Sequence, residues 1–142
     1  MDVLLVEDNP GDVRLTLETF RDANKAVRLH LAANGVEAMA FLRCQGADVP
    51  APRPVLILLD LNLPKMDGRE VLAEVKSDVD LKTIPIVILT TSDTESDITR
   101  SYQLQANCYL TKPVRLEEFE NLVRSINDFW LTRAKLMNVA IS

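Results

Sequence analysis

Several features that would mark a secreted, membrane or nucleic-acid-binding chain are missing. No apolar run approaches the roughly 20 residues that a membrane-spanning helix requires, and no basic-then-apolar leader precedes the first apolar run. Lysine and arginine form no block. With 16 basic against 21 acidic side chains and a formal charge of −5, the balance opposes broad contact with nucleic-acid phosphates. Cysteine is limited to Cys44 and Cys108. Two thiols make no metal pattern, and a reduced pair suits a domain large enough to do without a disulfide. Low-complexity tracts and internal repeats are absent. What is left is a chain of 142 residues, 47% hydrophobic and 26% charged, expected to be one cytoplasmic globular domain.

The chain is organised around residues 55–68, VLILLDLNLPKMDG. Val55 to Leu59 is an unbroken apolar run of strand length, which suits a parallel strand covered on both faces. The run ends on Asp60, where open α/β sheets place their active sites. Four other segments read as strands: Val3–Val6, running into Glu7-Asp8; 27–31, with Val27, Leu29 and Leu31 alternating with Arg28 and His30; 85–89; and 108–111. Between them lie helical patterns. Asn9 and Pro10 open the first, with Val13, Leu17 and Phe20 as its buried stripe. Asn34 with Glu37, Asp67 with Glu70, and Ser92 with Glu95 suggest three further helix starts. The last helix is expected from about residue 115, with Leu116, Phe119, Val123, Ile126 and Trp130 inward. The proline-rich stretch 44–54 reads as a long loop. Five strands alternating with five helices predict an α/β, flavodoxin-like (βα)5 fold, a doubly wound five-stranded parallel sheet in the order 2-1-3-4-5.

That order brings Glu7, Asp8 and Asp60 together at the sheet edge, with Thr90 after the fourth strand and Lys112 after the fifth. Each residue alone has an ordinary explanation. The acidic pair could favour a helix N-terminus, Thr90 could be a β-branched strand residue, and Lys112 could be a surface lysine. Their ordered placement at four strand ends outweighs those readings. Converging carboxylates repel unless a positive charge lies among them, and Mg²⁺ suits a carboxylate set that leaves room for a phosphoryl oxygen. Thr90 would donate a hydroxyl, Lys112 a charge, and Asp60 an oxygen nucleophile.

The motifs EDNPGD, LLDLNLPKMDG, LTTS and YLTKP resemble the receiver domain of two-component response regulators, over about residues 2–130. The resemblance implies Asp60 as phospho-acceptor, Glu7, Asp8, Asp60 and the Asn62 carbonyl as Mg²⁺ ligands, and Thr90 and Lys112 on the phosphoryl oxygens. It further implies Thr90 and Tyr109 as a switch pair and a cis peptide at Lys112-Pro113. Thr91 is bulkier than the residue many receivers carry there. NPGD, the proline-rich loop and the closing Phe129-Trp130 are similar to stand-alone regulators that partner phytochrome-type sensor histidine kinases.

The expected organisation is a receiver domain at 1–130 and a C-terminal extension at 131–142 with no effector domain. Signalling would pass to a downstream phosphotransfer or effector protein, with no membrane or nucleic-acid partner. A homodimer is expected through the helix 4–strand 5–helix 5 face or the apolar tail, whose residues could instead cover the chain's own core. Two other functions compete with this one. One is a receiver-like scaffold that binds partners without phosphate. The other is a turnover enzyme, either an aspartate-nucleophile phosphatase, opposed by Asn62 where a second Asp is needed, or a flavin protein, whose phosphate Glu7-Asp8 would repel.

Overall fold

The computed structural model describes residues 1–43 and 51–134. The loop tip expected at 44–50, Cys44 and the tail beyond residue 134 lie outside the described residues. Among the described residues the elements are β1 (Asp2–Val6), α1 (Pro10–Ala23), β2 (Arg28–Ala32), α2 (Gly35–Arg43), β3 (Leu56–Leu59), α3 (Gly68–Ser77), β4 (Ile86–Thr90), α4 (Glu95–Gln103), β5 (Cys108–Thr111) and α5 (Leu116–Ile126). The strands are parallel and ordered β2-β1-β3-β4-β5, as the sequence predicts.

Side-chain alternation sends the central strands into two cores. Leu4, Val6, Ile57, Leu59, Ile86 and Ile88 pack with Ala38, Met39, Leu42, Val71, Leu72 and Val75 of α2 and α3. Val3, Leu5, Leu56, Leu58, Val87 and Leu89 pack with Phe20 of α1 and with Phe119, Val123 and Ile126 of α5. Both faces of β3 are therefore covered, which is why its sequence shows no alternation. Each fully buried Leu or Ile contributes about 1.5–3 kcal/mol relative to exposure.

Local chemistry sets the helix starts. Asn9 accepts a hydrogen bond from Asp12 N at 3.1 Å, with Pro10 in the first helical position. Asn34 and Glu37 form a capping box in which Glu37 reaches past the cap to Ala33 N. Asp67 caps α3 through Arg69 N.

Four expectations require correction. The α4 cap is Thr94, which accepts from Asp97 N, and not Ser92, whose hydroxyl bonds the Asp97 carboxylate. The buried face of α1 is Thr16, Thr19 and Phe20, with Val13 and Leu17 only half-buried. The two threonine hydroxyls bond back to Asp12 O and Leu15 O, which removes the cost of facing the core. On the edge strand β2, Leu31 is 51% exposed, because β2 is paired on one side only and α1 leaves an open cleft beside it. Leu116 is also exposed, at the outer first turn of α5.

The inward stripe of α5 changes phase at its end. Residues Asn127–Arg133 form a π-helical continuation, in which Ala134 N bonds Phe129 O and Thr132 Oγ1 bonds Asn127 O. The wider turn advances the buried position from four residues after Ile126 to five. Leu131 joins the core, and Trp130 is left half-buried at its margin.

Candidate functional site

Backbone ladders deliver the polar groups to one place. Asp60 N bonds Val6 O, setting Asp60 beside Glu7 across the β1–β3 switch point. Lys112 N bonds Thr90 O at 2.7 Å, fixing the residue after β5 against the end of β4. The turn after β3 is tight: a side chain on Gly68 would meet Asp60 O at 2.1 Å, and one on Gly35 would meet Met66 O at 2.2 Å. Lys65 turns the chain with a left-handed φ of 63°, a conformation costing about 1 kcal/mol for a residue with a Cβ. Glycine at 68 thus lets α3 begin directly against the strand that carries Asp60.

Glu7, Asp8 and Asp60 each place a carboxylate oxygen within 4.8 Å of the others. Glu7 and Asp60 are buried, while Asp8 faces solvent. Lys112 is buried and donates to Glu7 Oε2, to Asp12 Oδ2 at 2.9 Å and to Asp60 Oδ2 at 3.1 Å. Burial pushes the Glu7 carboxyl up to about 7. The hydrogen bond from Lys112 opposes that rise without cancelling it, because one ammonium is shared among several carboxylates. Burial alone would lower Lys112, but its bonds to Glu7 and Asp12 hold it above the ordinary lysine value.

The other expected residues are placed as follows. Thr90 is fully buried, and its hydroxyl accepts from Ser92 N at 3.5 Å. Asn62 is exposed, and its main-chain N–H bonds Asp60 Oδ1 at 3.3 Å. Tyr109 is half-buried and donates its hydroxyl to Ser92 O at 2.7 Å, so the ring is tied to the loop after Thr90. The cis peptide implied for Lys112-Pro113 is not found; no described peptide bond is cis. Trans is the lower-energy form even before proline, by about 0.5–1 kcal/mol, and from it the ammonium reaches all three carboxylates.

Two contributors escaped the sequence reading. Asp12 occupies the third position of α1, where the first turn faces the strand ends; its place inside EDNPGD after a capping Asn was the available signal. The second is a polar chain behind the site. Arg69 grips Asp67 at 3.0 Å and Asp97 at 2.8 Å, and Asp97 also accepts from Ser92 Oγ. These bonds hold the Asp97 carboxyl below its usual range. Asp97 lies 28 residues beyond Arg69, so no local pattern announces the pair.

A (βα)5 sheet whose switch point holds clustered carboxylates, a buried lysine and a buried threonine defines a class of protein: an acid-pocket α/β switch that fits a divalent cation and a phosphoryl group. Residues 3–124 match the response regulator receiver domain, and the chain belongs to that family. Response regulator Rcp1 of Synechocystis sp. is 51% identical over 134 residues, covering 94% of this chain and 91% of Rcp1. The probable methanogenesis regulatory protein FilR2 of Methanothrix harundinacea is 38% identical, covering 91% of this chain and 83% of FilR2. Among solved structures, the Mn²⁺-bound form of Rcp1 superposes with a TM-score of 0.91 at 50% identity, covering 96% of this chain and 99% of that one. The phosphorylated cyanobacterial phytochrome response regulator RcpA superposes at 0.92 and 50% identity, covering 96% and 98%. Family membership makes this a phosphorylation-based signalling switch, and its acidic cluster fits a divalent ion. Among the described residues, no helix is long and apolar enough to cross a membrane.

Proposed function

We propose that the chain accepts a phosphoryl group on Asp60 from a sensor histidine kinase and converts it into altered partner binding. The observation that carries this reading is the buried Lys112 ammonium 3.1 Å from Asp60 Oδ2 inside a carboxylate cluster. A carboxylate oxygen of Asp60 attacks phosphorus; the bond from phosphorus to the donor's imidazole nitrogen breaks, and the imidazole leaves with that electron pair. Lys112 and Thr90 contact the phosphoryl oxygens as they shift. Glu7, Asp8, Asp60 and the Asn62 carbonyl would hold Mg²⁺, which when bound supplies positive charge at the transferring group. Thr90 drawn toward phosphate moves the loop that Tyr109 grips at Ser92 O, and this pair would act as the switch.

The kinase is proposed to be phytochrome-type, supported by the names and high coverage of Rcp1 and RcpA. Residues 1–130 would be the receiver and 131–142 an extension, in a cytoplasmic protein that turns over only its own phosphate. Self-association through the α4–β5–α5 face or the tail is part of the same proposal, supported by exposed Tyr102 and Phe129.

Incubation with Mg²⁺ and acetyl phosphate, followed by intact-mass measurement, tests the acceptor. Wild type should gain one phosphoryl group and Asp60→Asn none. A phosphoryl gain on Asp60→Asn would remove Asp60 from the role. A folded wild type that gains none would favour the phosphate-independent scaffold.

A further inference from the structure

Asp12 has no part in the chemistry assigned above, yet it holds one of the three carboxylates on Lys112, at 2.9 Å. The other two belong to Glu7 and Asp60. An ammonium has three protons to donate, so the lysine is saturated. A phosphoryl oxygen can reach it only by displacing a carboxylate. Glu7 and Asp60 are buried strand-end residues, whereas Asp12 keeps 28% of its side chain exposed. Its backbone is fixed independently, by the Asn9 cap at its N–H and by Thr16 Oγ1 at its carbonyl, 2.7 Å away. The side chain of Asp12 is therefore not needed to build α1. Nor is it needed to keep Lys112 inside, since two buried carboxylates remain. Its carboxylate adds negative charge where Glu7 and Asp60 already share this one ammonium and Asp8 stands in the same acidic cluster.

We infer that Asp12 is a positioning residue that competes with phosphoryl oxygens for Lys112 and thereby slows both arrival and loss of the phosphate. The inference rests on Asp60 as the acceptor. Lysine stabilises charge on the transferring phosphoryl whether the attacking oxygen is that of Asp60 or of water. Releasing Lys112 from Asp12 should speed both steps together, leaving steady-state occupancy little changed. Simple repulsion of an anionic donor would accelerate only the first.

The test compares wild type, Asp12→Asn, Asp12→Glu and Asp60→Asn with Mg²⁺ and acetyl phosphate. Phosphorylation is followed by intact mass, and decay is followed after donor removal. Asp12→Asn should raise both rates about threefold, the scale of a partly exposed ion pair, and Asp12→Glu should stay near wild type. Urea unfolding of the metal-free proteins supplies a readout independent of activity: Asp12→Asn should unfold at a midpoint no lower than wild type. A rate that is unchanged or reduced in either direction, or a lowered midpoint, overturns the inference. Phosphorylation of Asp60→Asn would instead overturn the acceptor assignment, so the two failures are distinguishable.

Discussion

α5 and α4 pack on opposite faces of the sheet and are held by different forces. α5 inserts Phe119, Val123 and Ile126 into the core shared with α1, and its π-helical continuation adds Leu131. α4 buries only Ser101, whose hydroxyl has no hydrogen-bond partner among the described residues. It is fastened by polar links: the Thr94 cap, the Arg69–Asp97 pair, Ser92 on Asp97, and Tyr102 Oη accepting from Tyr109 N. Apolar burial is non-directional and lost only with the fold, whereas a partly exposed ion pair is worth little and can be exchanged. A switch needs one element of each kind. On the proposed mechanism, α5 would supply the fixed wall, and α4 the part whose position a phosphate-driven shift of the Thr90 loop would change.

The largest effect should come from attacking the apolar side. Phe119→Ala should lower unfolding free energy by about 3–5 kcal/mol, read as a fall in urea midpoint at unchanged slope; a loss near zero would deny α5 its anchoring role. Next is Arg69→Ala, which should cost roughly 1 kcal/mol globally. It should also raise amide exchange selectively in residues 95–103, leaving 116–126 protected. Equal acceleration in both helices would erase the distinction between them.

The smallest effect concerns acid. Asp97 is held below its ordinary value first by its bond to Ser92 and then by Arg69. A depressed folded value means that its contribution is present above the unfolded value of 3.8 and lost as pH falls through the folded one. α4 should therefore loosen only below about pH 4, detectable as carboxyl chemical shifts of Asp97 changing together with α4 amide exchange. An unshifted titration of Asp97, or loosening already complete at pH 5, would show that the clamp does not hold α4.

Much of this is legible in the sequence. The VLILL run, the Asn9-Pro10 start and the Asp67 cap are statements about adjacent residues, and each appears where the sequence puts it. The gathering of Glu7, Asp8 and Asp60 followed from the strand order, which the alternating elements imply. Errors fell where local reading meets distant partners. Leu31 alternates correctly for a half-buried strand, but its exposure depends on what α1 leaves uncovered. Ser92 has the composition of a cap, yet Asp97 claims its hydroxyl from within the next helix.

The sequence by itself determined the (βα)5 alternation, the strand that carries Asp60 and the caps of α1, α2 and α3. Periodicity, chirality and first-turn hydrogen bonding act over a few residues and leave their mark in the chain. Tertiary structure alone decided that Asp12 shares Lys112, that Arg69 bridges to Asp97, that the end of α5 buries Leu131 in place of Trp130, and that Lys112 precedes a trans proline. Those outcomes depend on distance and competition between groups far apart in the chain, which spacing along it does not encode.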